Sequence, residues 1–114
     1  MKNIVSIKKN RDFRILYRRG KSAVDSVLAV YAKKNNRGMS RVGITVSTKV
    51  GKAVVRNRVR RRIREAYRLN RESLKCGYDI IIVARVRAGK SEYRDIEKSL
   101  LSLAGKLGLL SEEE

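Results

Sequence analysis

The stretch Val55-Arg56-Asn57-Arg58-Val59-Arg60-Arg61-Arg62-Ile63-Arg64-Glu65-Ala66-Tyr67-Arg68 sets arginines against apolar residues at a helical beat. At about 100° per residue, Val55, Val59, Ile63, Ala66 and Tyr67 fall within about 120° of one another, which makes a buried stripe. Opposite the stripe lie Asn57, Arg61, Arg64 and Arg68. Arg58 and Arg62 take one flank and Arg60 the other. Arg56 projects at the stripe's edge, with its head in solvent in the first turn. The pattern predicts an amphipathic helix over about Lys52 to Leu69. Glu65 is its only counter-charge, and like charges recur at i, i+4, each pair costing roughly 0.2–0.5 kcal/mol in an isolated helix.

Between Lys49 and Arg71, ten basic residues and one acidic one supply half of the net charge of +18 carried by the 114-residue chain. A solvated surface helix mixes its signs, and this one does not. Arginine is also favoured over lysine, and its planar fork suits phosphates and base edges. A membrane-surface helix would carry Trp, Phe or Leu on its apolar side. The basic region of a zipper would run on into heptads. Neither pattern is present, so the leading partner is nucleic acid. Self-repulsion at +18 destabilises the free chain, so phosphate or sulfate is expected to stabilise it, and a monomer is expected in the absence of RNA.

The chain has no histidine, which removes the commonest general acid/base and most zinc sites. Its carboxylates are scattered, and no catalytic residue or metal site is expected. The one cysteine, Cys76, cannot form an intramolecular disulfide. No apolar run reaches membrane-spanning length, and the first residues lack a signal-peptide core, so a cytoplasmic protein without a membrane is expected.

Working outward from the arginine helix, Arg41-Val42-Gly43-Ile44-Thr45-Val46-Ser47 alternates as a strand. Val42, Ile44 and Val46 face a core, while Gly43, Thr45 and Ser47 face away, with Gly43 leaving room for a bound group. Val27 to Ala32 reads as another strand, joined to the first by a polar hairpin loop over Lys33 to Ser40. Tyr78 to Val86 is apolar on both faces, as a central strand is. Asn10 can cap a first helix over about Arg11 to Arg19, with Gly20 as its stop. Phe13, Leu16 and Tyr17 share one face of that helix. Ser91 can cap a last helix with a Tyr93, Ile96, Leu100, Leu103, Leu107 stripe. Residues 109–114 read as a frayed acidic tail. The order α-β-β-α-β-α gives one small α+β domain over residues 1–114. Its strand–helix–strand unit could run parallel.

Arg41-Val-Gly-Ile-Thr-Val-Ser47, Lys49-Val-Gly-Lys-Ala53, and Arg56-Asn-Arg-Val-Arg-Arg61 with Ile63-Arg64 resemble the protein subunit of bacterial ribonuclease P. Asn10, Asp12, Phe13, Tyr17, Gly20, Tyr31 and the Ile80–Arg85 strand also line up, so the resemblance spans about residues 8 to 107. It implies one more short strand near Ser22 to Val24. It also implies a ribosomal S5 domain 2-like fold with a left-handed βαβ crossover. The family protein binds no cofactor of its own. It serves a catalytic RNA that holds the Mg²⁺ ions and removes the 5′ leader of precursor tRNA. The resemblance assigns Arg58, Arg60, Arg61, Arg62, Arg64 and Arg68 to the RNA subunit. It assigns Phe13, Tyr17, Tyr31, Thr45, Ser47, Lys49, Arg56 and Asn57 to the leader, in a cleft between the first helix and the open sheet face. Leu28 stands where the family often has an aromatic residue, and Thr48 where it often has lysine. Two other readings compete: a general RNA-binding protein without a processing role, and a stand-alone nuclease.

Overall fold

The computed structural model describes residues 4–111. Its organising unit is strand Arg41–Val46, helix Ala53–Asn70 and strand Tyr78–Ala84, the two strands parallel and in register from Arg41 opposite Asp79 to Val46 opposite Ala84. In chain order the elements are α1 (Asn10–Arg19), β1 (Lys21–Val24), β2 (Leu28–Lys34), β3 (Arg41–Val46), α2 (Ala53–Asn70), β4 (Tyr78–Ala84) and α3 (Tyr93–Lys106), an α+β arrangement. Short 3-10 turns stand before α2 at Thr48–Val50 and after β4 at Val86–Lys90.

The sheet order is β1-β2-β4-β3, so β2 and β3 are not hairpin partners. β4 lies between them, antiparallel to β2. The reason is in its composition: Ile80, Ile81 and Ile82 are all buried and need cover on both faces, which only an inner strand obtains. The real hairpin joins β1 to β2. Asp25 closes it, accepting the Val27 and Leu28 N–H groups on Oδ1 at 2.8 and 2.9 Å. β1 has four mostly exposed residues and no apolar alternation, so only the resemblance pointed to it.

The two faces of the sheet have different covers. Leu28, Val30, Ala32, Val42, Val46, Ile80, Ile82 and Ala84 join the main core with α2 and α3. Ile81, with Tyr31 and Val83, faces the other way and packs with Ile7, Phe13 and Leu16. The α2 stripe behaves as its spacing predicts: Val59, Ile63, Ala66 and Tyr67 are buried and Val55 packs at the margin. In α3, Ile96, Leu100 and Leu103 are buried.

Three expected boundaries shift. α1 has Lys9 at its N-cap and Asn10 as its first helical residue. Gly20 follows with φ −76°, so space rather than backbone freedom selects glycine: a Cβ would lie 2.6 Å from the Leu16 carbonyl oxygen. α3 is capped by a reciprocal Glu92–Asp95 box instead of Ser91, whose hydroxyl donates to the Arg87 carbonyl at 2.9 Å. The fraying expected from Leu109 does not start there. Leu109 is buried, and Leu110 bridges to Leu74, with the Lys75 and Ser111 N–H groups each donating at 2.7 Å to Leu109 and Ser73 carbonyls. The end of the acidic tail, 112–114, lies outside the described residues.

Candidate nucleic-acid interface

α2 begins just beyond the C-terminal end of β3, with Ser47 and the Thr48–Val50 turn between them. Ser47 accepts the Lys49 N–H at 3.3 Å and so shapes that turn. Arg56, expected in solvent, folds back instead, its Nη1 donating to the Gly51 carbonyl at 2.8 Å. A side chain at helix position four can reach the unsatisfied turn behind it, and the sequence pattern alone does not reveal that carbonyl.

The arginines of α2 divide by partner. Arg62 donates to the Ser91 carbonyl at 2.7 Å and Arg58 to the Gly89 carbonyl at 3.3 Å, with Arg58 Nε buried and without a partner. These two flank residues tie the helix to the connection after β4. Arg68 is held bidentately by Glu65 at 2.7 and 3.0 Å, which draws that carboxyl below its ordinary value. Arg60 donates to Asn57 Oδ1 at 3.2 Å, one turn back on the outer face. Arg61 and Arg64 are exposed and have no hydrogen bond or ion pair among the described residues. A stripe of unneutralised guanidinium groups on a rigid helix is suited to phosphate oxygens.

On the opposite face of the sheet, α1 and the strands gather the expected aromatic residues. Tyr17, about 40% exposed, stands edge-on to Tyr31 with ring centroids 4.8 Å apart, and its hydroxyl lies 3.4 Å from Thr45 Oγ1. Phe13 lies 6.5 Å from Tyr17, ring to ring. The room left by Gly43 is already used: a Cβ there would be 2.7 Å from the Phe13 ring, so Phe13 itself occupies the space expected for a bound group. Phe13 is therefore half-buried against the strand, while Tyr17 is open.

A second opening lies at the strand ends rather than beneath α1. A groove of about 1310 Å³ runs between the β1–β2 turn and α3, with Ser47, Lys49, Arg85, Arg87 and Lys90 on its walls. Ser47 and Lys49 are thus brought to this groove. Asp25 forms part of it and is fixed by a 2.7 Å bond from the Ser99 hydroxyl. Burial raises the Asp25 carboxyl, but the donors from Leu28, Ser99 and Val27 outweigh it and leave it below its ordinary value.

One constellation was not legible in the sequence. Arg41 grips Asp79 with bonds of 2.6 and 2.9 Å and reaches Asp12 at 3.5 Å, while Asn35 Nδ2 adds 2.8 Å to the same Asp79. Burial works against the Asp79 charge, but these partners prevail and its carboxyl lies below the ordinary range. The network pins α1 to β3 and β4 and so positions Phe13 and Tyr17. Its members are separated by tens of residues, and no local spacing signals them. Among the described residues no group of carboxylate and thiol side chains is placed to hold a metal ion, and no helix is long and apolar enough to cross a membrane.

Comparison with known proteins gives one pattern. The family profile for ribonuclease P matches residues 1–108. The chain is 48% identical over 104 residues to the ribonuclease P protein component of Clostridium botulinum, covering 90% of this chain and 94% of that one. It is 53% identical over 98 residues to the same component of Clostridioides difficile, with 85% and 86% covered. Its fold is similar to the RNase P protein of Staphylococcus aureus, with a TM-score of 0.86 at 33% identity, across 96% of this chain and 100% of that one.

Proposed function

The chain belongs to the ribonuclease P protein family, and from that premise we propose that it docks on a catalytic RNA through the outer face of α2 and holds the 5′ leader of precursor tRNA beside it. The observation that carries this reading is the division of the α2 arginines. Arg58 and Arg62 are spent on backbone carbonyls, while Arg61 and Arg64 stand outward without a counter-charge. Arg60 and Arg68 flank them, held by single local partners that a phosphate can displace.

The leader path starts at the aromatic patch of Tyr17 and Tyr31, where a base can stack on an open ring at about 1–3 kcal/mol each. Phe13, packed over Gly43 with its ring 6.5 Å from that of Tyr17, supports that patch. The path continues past Thr45 to Ser47, Lys49, Arg56 and Asn57 at the strand end and the start of α2. Lys49 neutralises phosphate, and the Asn57 amide supplies a donor and an acceptor for a base edge. The protein contributes binding and positioning. The Mg²⁺ ions and the hydrolytic step belong to the RNA.

Reconstitution with a bacterial catalytic RNA tests the reading. Added protein should restore leader removal at low Mg²⁺, and the protein alone should cleave nothing. The holoenzyme should bind precursor tRNA more tightly than mature tRNA. Indifference to the leader would favour a general RNA-binding role, and cleavage by the protein alone a nuclease.

A further inference from the structure

The leader reading uses Phe13 and Tyr17 but leaves the other side of α1 without a role. Residues 8–21 contain seven basic residues and one acidic one, a charge density close to that of α2. The acidic residue, Asp12, already faces Arg41 at 3.5 Å. Arg11, Arg14 and Arg18 are exposed, and no carboxylate pairs with them among the described residues. Nor can RNA on α2 neutralise them at contact range, because α1 and α2 cover opposite faces of the sheet.

The order of residues around the helix gives the stripe a direction. At about 100° per residue, Arg14 lies about 60° from Tyr17, and Arg18 and Arg11 continue about 40–60° further round. A strand leaving the Tyr17–Tyr31 patch in that direction meets Arg14 first. Arg11 to Arg18 then offers cations along about 10 Å of helix axis. No aromatic ring interrupts the three arginines, so the stripe suits phosphates without regard to base.

We propose that Arg11, Arg14 and Arg18 carry the part of a single-stranded leader that has already passed the Tyr17 patch, so that longer leaders are held over the outer face of α1. This rests on the leader reading above. It makes the stripe a determinant of leader length, separate from RNA-subunit docking.

The test uses holoenzyme assembled with a bacterial catalytic RNA and precursor tRNAs whose leaders increase in length stepwise. An Arg11→Gln/Arg14→Gln/Arg18→Gln variant should bind the shortest-leader precursor as the parent does. It should lose the extra affinity for long leaders, with a salt slope shallower by about 2, since each single-strand phosphate contact contributes about 0.7. The matching triple lysine variant should keep most of that affinity, which separates charge from folding. Equal weakening on short and long leaders, weaker assembly with the RNA subunit alone, or no change at any length would each overturn the proposal. If the parent holoenzyme itself fails to distinguish precursor from mature tRNA, the leader reading falls and takes the proposal with it. If the parent discriminates and Tyr17→Ala abolishes that while the triple variant matches the parent at every length, only the extension over α1 fails.

Discussion

Asp79 and Gly43 show how single residues position the candidate leader surface. Asp79 receives two bonds from Arg41 and one from Asn35, with only about one-seventh of its side chain exposed. Asp79→Asn should cost about 1–3 kcal/mol at neutral pH, because the amide cannot accept the guanidinium fork on both atoms. The carboxyl lies below its ordinary value in the folded chain, so on acidification the unfolded chain takes up the proton first. That contribution is complete above the unfolded value near pH 4 and is lost as pH falls through the folded one. Urea unfolding at a series of pH values should therefore show a flatter acid limb in Asp79→Asn than in the parent. Gly43 is a different case, since a Cβ would overlap the Phe13 ring rather than any backbone atom. Gly43→Ala should displace Phe13 from β3, reduce the preference for leader-bearing tRNA and leave affinity for the RNA subunit unchanged. Parallel binding measurements on precursor tRNA, mature tRNA and the RNA subunit check this, and an equal loss on all three would refute it.

At the scale of the element, the arginines of α2 fall into two groups by the partners they reach. Arg58 and Arg62 hold the connection after β4 through the Gly89 and Ser91 carbonyls, whereas Arg61 and Arg64 face outward. Arg61→Ala and Arg64→Ala should therefore leave the thermal midpoint nearly unchanged and reduce the salt slope of RNA-subunit binding by about 0.7–0.9 each. Arg62→Ala should lower stability by about 1–3 kcal/mol, because it leaves the Ser91 carbonyl without its charged donor. Thermal melts together with binding isotherms at several salt concentrations separate the two groups. Uniform behaviour across all four positions would argue against the division. The helix itself was legible from its Val55, Val59 and Ile63 beat, since a period near 3.6 is a local property of the chain. Which arginine heads turn inward was not, because Gly89 and Ser91 come to the helix from some 30 residues further along.

At the scale of the whole molecule, a charge of +18 sits on a fold with basic helices on both sides of one sheet. Sulfate should raise the thermal midpoint more than chloride at equal ionic strength, and calorimetry in the two salts measures the difference. Local period and composition determined much of this protein: α2 and α3 with their buried stripes, β4 as an inner strand, the basic face and the absence of a histidine-based site. The motif around Arg41 and Arg56 to Arg64 pointed to the family. The tertiary structure alone decided that β4 separates β2 from β3, because an apolar run marks a strand as inner but its two neighbours are set by pairing between residues distant in sequence. It alone decided that Phe13 fills the space above Gly43, that Leu109 and Leu110 close the chain's end against Leu74, and that Arg41, Asp79 and Asp12 fasten α1. Each of these is a contact between residues distant in sequence, whose partners are fixed only when the chain closes on itself.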